Sequence, residues 1–212
     1  MIILLTWGAS LCYSSPDDYQ QGILVRIMYI HVPSAWIGMG GYMFITFFSI
    51  LHIYSRNPFY FCIASAAGPV GAIFTLISLI TGMIWGSATW GAWWVWDPRL
   101  TSTLILFFIY IAYIAVDMAG EYKEQKSYIC SIIPIIGSIN IPIVKYSVDL
   151  WHSLHQSSSF TRKSGVAIDP DMLKILVVVF IGLAVYCALI ILMRLQNIIL
   201  IKKLHRMKQI AH

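Results

Sequence analysis

A chain of 212 residues that is 59% hydrophobic and 11% charged has about half the charged share of a typical soluble domain, so it reads as one membrane domain of spans packed on spans. The net charge of +5 does not outline a nucleic-acid surface, because Arg194, Lys202, Lys203, Arg206 and Lys208 cluster in a tail behind the last apolar run. Cys12, Cys62, Cys130 and Cys187 make neither a C-x-x-C pair nor a C-x-x-C-H attachment motif, which excludes a thiol oxidoreductase of that type and a c-type cytochrome.

Met1 to Tyr13 is apolar, but as a helix it reaches only roughly 20 Å where a span needs about 20 residues. It lacks the basic flank of a signal peptide and is expected to be the outer end of a shortened first span. Ser14 to Gly22 is a polar, turn-rich loop. About Val32 to Tyr54 makes a span with His31 at its mouth and Gly38, Gly40 and Gly41 as small contacts for a neighbouring helix. Arg56-Asn57-Pro58 is a short connection, after which the forty residues Asn57 to Trp96 carry no charge. About Phe59 to Ile84 crosses the bilayer, with a bend expected near Gly68-Pro69, and the rest is a tryptophan-rich stretch at the interface.

Thr101 to Ala119 is the next span, and Gly120 to Lys126 a charged loop. Tyr128 to about Tyr146 returns across as an irregular helix, since Pro134, Asn140 and Pro142 leave polar groups that neighbours must satisfy. A long polar loop at 147–173 carries His152, His155, Arg162 and Lys163, and Lys174 and Arg194 then bracket nineteen uncharged residues, a clean last span. The expected fold is an all-α polytopic membrane protein with five clear transmembrane helices, a shortened N-terminal helix and an external tryptophan-rich interfacial helix. It forms a single membrane domain, 1–212, with external segments at 85–99 and 147–173 and a basic cytoplasmic tail at 194–212.

Orientation follows from basic residues near span ends. The five of the tail with Arg56, Lys123 and Lys126 make eight on one side, against six on the other, namely Arg26, Arg99, Lys145, Arg162, Lys163 and Lys174. The tail and the loops at Arg56 and Gly120 are therefore expected on the cytoplasmic (or matrix) side. Alternation then puts His31, the tryptophan stretch and His155 together on the opposite face.

Five of the eight tryptophans fall between Trp85 and Trp96, denser than an aromatic belt at a membrane interface requires. If Trp90 to Asp97 is helical, Trp90, Trp93, Trp94 and Asp97 line one face as a rigid aromatic surface for a large planar apolar ligand, while Trp96 points elsewhere. Asp97 and Arg99 add opposite charges at its edge, and Pro98 pushes Asp97 out of helical geometry.

The run W-G-A-W-W-V-W-D-P-R-L-T-S from Trp90 to Ser102 resembles the WWD signature of the haem-handling proteins of cytochrome c maturation system I. The segments R-I-M-Y-I-H-V-P-S-A-W from Arg26 to Trp36 and K-Y-S-V-D-L-W-H-S-L-H-Q from Lys145 to Gln156 resemble those of the CcmC family, and the resemblance extends from about Tyr19 to about Ile201. It implies six spans and a longer N-terminus, with His31 and His155 as the proposed axial ligands of a transient haem b. It also implies a surface that includes Asp97, on which the haem chaperone CcmE is loaded, and places the chain beside CcmD and the CcmA–CcmB ABC transporter in a bacterial inner (cytoplasmic) membrane, or alternatively a mitochondrial inner membrane. The chain has no G-x-x-x-x-G-K-[ST] loop, so nucleotide work belongs to a partner.

The residues suit that chemistry. Haem is planar and apolar, its iron takes imidazole, and its propionates need cationic or hydrogen-bonding partners. Candidate ligands at span ends rather than within the spans suit a haem that is to be passed on, although a lone histidine there is ordinarily an interfacial residue. The candidate site is therefore His31 and His155 as ligands with Trp90, Trp93, Trp94, Trp96, Asp97 and Arg99 around the ring. Arg99 reads equally as a propionate partner or a salt-bridge partner of Asp97, and Arg26, Arg162 and Lys163 are weaker cations. Asp97 reads either as part of the chaperone surface or as a helix-end acceptor of N–H bonds. His152 is a neighbour, and His52, His205 and His212 are bystanders. No nucleophile or general base for bond making stands out. Two other readings stay open: a transporter moving haem through the bilayer, for which the spans offer few polar groups beyond Asn140, and a haem lyase, for which the chain is short.

Overall fold

The computed structural model describes residues 2–19, 21–119, 124–155 and 168–210. These hold α1 (Ile2–Ser14), α2 (Met28–Ser55), α3 (Pro58–Trp90), α4 (Pro98–Met118), α5 (Glu124–Gly137), α6 (Asn140–Leu150) and α7 (Pro170–Ile210), with a 3-10 turn, Ile23–Ile27, leading into α2. Five segments are long and apolar enough to cross a membrane: Ile23–Ser55, Pro58–Trp90, Pro98–Met118, Gln125–Leu150 and Pro170–Lys208. The protein is thus an all-α, multi-pass membrane protein, and the shorter apolar helix is α1.

The helices associate through close backbone approach and interhelical hydrogen bonds, as expected where lipid offers no hydrophobic drive. Tyr42, Ile45, Phe61, Ala64, Ala67, Leu106, Tyr110 and Tyr113 make the central core of α2, α3 and α4. A side chain at Gly71 would collide with the Tyr110 hydroxyl, and that hydroxyl donates to the Gly38 carbonyl at 2.8 Å. A Cβ on Gly38 would collide with Thr75 of α3 and one on Gly41 would meet the Tyr110 hydroxyl of α4 and then Gly71 of α3, whereas Gly40 faces open space. Of the three glycines expected to make helix contacts, two therefore do so. α3 runs as one helix through Pro69.

The irregular fourth of these segments breaks at Ser138–Ile139 into α5 and α6, and hydrogen bonds tie both parts to neighbours. Thr46 Oγ1 donates to the Pro134 carbonyl at 3.0 Å, and Asn140 Nδ2 donates to the Ser102 carbonyl of α4 at 2.9 Å. α1 lies along α7, where a Cβ on Gly8 would meet Val179 and one on Gly182 would meet Leu5, both at 3.3 Å.

The separate interfacial helix expected in the tryptophan stretch is corrected. α3 itself carries the chain to Trp90, Gly91 ends it in the left-handed region at φ 74°, and no helix forms from Ala92 to Asp97. Pro98 holds Asp97 extended at φ −78°, ψ 142°, so too few residues remain between these two stops for a further helix. α6 and α7 also run into the expected loop, to Leu150 and from Pro170, and the basic tail is a continuation of α7.

Candidate functional site

The Trp90 end of α3 organises the site. His31, in the first turn of α2, points its Nδ1 at the Ser78 carbonyl (3.0 Å) and Thr81 Oγ1 (3.1 Å) of α3. A carbonyl only accepts, and Thr81 Oγ1 already gives its own proton to the Ile77 carbonyl at 2.7 Å, so His31 Nδ1 is the donor and Nε2 keeps the lone pair. The ring sits edge-on to Trp85, centroids 5.8 Å apart, and Trp85 Nε1 is anchored by Gln21 Oε1 at 3.0 Å.

Asp97 builds the second half. Its Oδ1 accepts from the Arg99 and Leu100 amides at 2.9 and 3.4 Å, capping α4, where a carboxylate also complements the helix dipole and Pro98 is well suited to the first helical position. The same oxygen accepts from His155 Nδ1 at 3.0 Å. Oδ2 accepts from Ser153 Oγ at 2.5 Å and from the Leu154 amide at 2.9 Å. One buried carboxylate, 5% exposed, therefore caps a helix, ties down the chain from Ser153 to His155 and orients an imidazole. Of the two readings of Asp97, the acceptor of N–H bonds at a helix end is what the geometry displays.

Burial alone raises the Asp97 carboxyl, but the Ser153 hydroxyl, the His155 charge and the Leu154 and Arg99 amides outweigh it and hold the group below its ordinary value. Burial, helped by Arg99, lowers His155 below the ordinary imidazole value against the opposing pull of Asp97. The pair thus rests as carboxylate and neutral imidazole, with Nδ1–H donated to Asp97. This is the usual way a second-sphere carboxylate fixes a metal-binding histidine.

His155 packs edge-on to Trp90 with centroids 4.9 Å apart. Since Trp85 and Trp90 share the last turns of α3, both imidazoles gather at one end of one helix, and His155 and Arg99 each act electrostatically on His31. Among the described residues, each ring keeps its Nε2 free of a protein hydrogen bond, and no cluster of three or more His, Cys, Asp or Glu that could hold a metal ion occurs among them.

The tryptophans are distributed differently from the single helical face expected. Trp90 and Trp94 are half-buried, Trp93 and Trp96 are 63% and 78% exposed, and Trp94 meets Trp96 edge-on at 5.6 Å. Trp94 Nε1 is buried without a hydrogen-bond partner among the described residues. Arg99 is half-buried and lies within the influence of Asp97 and Asp149. Arg26 turns away to the Ser15 carbonyl (3.1 Å) and Asp17 (3.4 Å), while Arg162, Lys163 and His212 lie outside the described residues. His152 and His205 are exposed, and His52 is buried at the far end of α2 against Ser131 and Tyr128.

Sequence reasoning missed Ser78, Thr81, Trp85 and Ser153 as supports. Only Trp85 carried a signal, through its place in the tryptophan stretch. The others act through a carbonyl or a hydroxyl whose reach depends on the fold.

A family model described as Heme exporter protein C, CcmC, matches residues 1–210. A Heme exporter protein C of Bradyrhizobium diazoefficiens is 38% identical over 98% of this chain and 79% of its own length. That of Escherichia coli K12 is 38% identical over 97% of this chain and 83% of its own length. A ccmC-like mitochondrial protein of Marchantia polymorpha is 39% identical over 88% of this chain and 78% of its own length. Agreement at this level over nearly the whole of this chain places it in the Heme exporter protein C (CcmC) family.

Proposed function

We propose that this protein handles haem in cytochrome c maturation, holding a transient haem b between His31 and His155 on the external face and presenting it to CcmE. The observation that carries the reading is the matched state of the two imidazoles. Each gives its Nδ1 proton to an oxygen acceptor, which leaves Nε2 basic for an iron. When bound, the haem supplies an iron that takes two imidazoles and a pair of propionates to be neutralised. Arg99 and Trp94 Nε1, buried without a partner among the described residues, are the groups suited to a propionate, the first by charge and the second as a desolvated donor.

Asp97 is too buried to form a surface for a chaperone, so Trp93 and Trp96, the exposed indoles, are the side chains that would meet CcmE. In this reading CcmD and the CcmA–CcmB ABC transporter are neighbours in the bacterial inner membrane, or its mitochondrial counterpart, and supply the nucleotide-driven step. The test is the absorption of the detergent-purified protein in the Soret region, with and without CcmE. His31→Ala and His155→Ala should each lower retained haem and shift the band, and Trp93→Ala with Trp96→Ala should keep haem but slow its passage to CcmE. Unchanged spectra in both histidine variants would remove them as ligands.

A further inference from the structure

α3 presents two glycines one turn apart toward the site, and each is filled by a ring. A Cβ on Gly82 would stand 3.0 Å from His31 Cε1 and 3.5 Å from its Nδ1. A Cβ on Gly86 would stand 3.0 Å from Trp90 Cε3 and 3.1 Å from Cζ3, and Trp90 is the indole that packs edge-on to His155. Neither glycine is needed for a turn, since both lie inside the helix. Glycine there costs helix stability relative to alanine, so the residue type answers to packing.

We propose that Gly82 and Gly86 are positioning residues for the two imidazoles, Gly82 seating His31 directly and Gly86 setting His155 through Trp90. This rests on the reading of His31 and His155 as axial ligands and deepens it. The His31 ring has little room to yield: it is held by the Ser78 carbonyl and Thr81 Oγ1, with Trp85 edge-on to its ring. A methyl group at Gly82 moves it by a few tenths of an ångström and breaks that hydrogen-bonded register. At Gly86 the same methyl group lifts the Trp90 ring, which then presses on His155. α3 thus fixes both halves of the ligand set through gaps as well as through the side chains of Thr81, Trp85 and Trp90.

The experiment compares Gly82→Ala, Gly86→Ala and Gly40→Ala, the last a helical glycine with open space around it, by haem content and visible absorption of the purified protein, with and without added imidazole. Gly82→Ala is expected to lose about tenfold in haem affinity, the scale of an outer-sphere defect at a metal ligand. Its spectrum should move toward that of His31→Ala, and added imidazole should restore the wild-type band. Gly86→Ala should move toward His155→Ala, and Gly40→Ala should match wild type. If Gly82→Ala does not accumulate, the double variant His31→Ala/Gly82→Ala must accumulate, because removing the ring removes the clash.

Wild-type haem content and spectra in both site variants overturn the proposal. So does an equal defect in Gly40→Ala, a failure of imidazole to restore the band, or a double variant that still fails to accumulate. Silent glycine variants beside responsive histidine variants overturn the positioning role alone. Silent histidine variants overturn the ligand reading, and the positioning role falls with it.

Discussion

Among single residues, Asp97 ties together the start of α4, the chain from Ser153 to His155 and an imidazole. Asp97→Asn keeps the volume and remains a good helix cap, but it loses the charge that holds the Nδ1 proton of His155. Haem affinity should fall about 10-fold to 100-fold, as for other second-sphere carboxylates, and the melting temperature should fall too, because an amide nitrogen cannot accept from the Leu154 amide as Oδ2 does; a haem titration and a thermal melt of the purified variant measure the two. Acid should act at the same place. His155 and Asp97 are both held below their ordinary values, 6.5 and 3.8, so the folded state binds fewer protons than the unfolded one. The His155 contribution is therefore complete above its unfolded value and lost as pH falls through its lower folded value, and the Asp97 contribution follows the same course at more acid pH. A pH series of melting temperatures on haem-free protein should fall on the acid side of 6.5; Asp97→Asn should remove the more acid Asp97 part and strengthen the His155 part, because the Asp97 charge opposes the lowering of His155. His31 and His155 were singled out by the resemblance of their segments to the CcmC family, since residue type and position at a span end alone favour an ordinary interfacial histidine. Their shared architecture was not legible, because Asp97 and His155 are separated by 58 residues and no spacing rule links them.

At the scale of elements, the spans were legible because uncharged apolar runs of the required length admit few other structures. The tryptophan stretch was not, because periodicity alone made Trp90 to Asp97 a plausible helix face. Two local stops decide otherwise: Gly91 in the left-handed region and Pro98, which holds Asp97 extended. Gly91→Ala should therefore cost about 1 kcal/mol through its positive φ, seen as a lower melting temperature of the detergent-solubilised protein. Tyr110→Phe removes the buried hydroxyl that bonds Gly38 across the helix contact and should cost about 1 kcal/mol without changing the haem spectrum.

At the scale of the whole molecule, the spans count for more than their packing. α5 and α6 together make one crossing, Gln125–Leu150, so Lys126 and the segment after Leu150 fall on opposite sides. Reporter fusions after Arg56 and Lys126 should be cytoplasmic and one at Ser158 external, and finding Ser158 and Lys126 on one side would undo the arrangement. Alternation of the spans already implied that His31, the tryptophan stretch and His155 share a face, and the gathering of both imidazoles at the Trp90 end of α3 supports it. In the proposed function, two imidazoles from distant parts of the chain hold one iron. Electron paramagnetic resonance of the ferric haem-loaded protein tests it most directly: a low-spin signal of two nitrogen ligands is predicted, converting to a high-spin one in either His31→Ala or His155→Ala, whereas a wild-type signal that persists in both variants contradicts it.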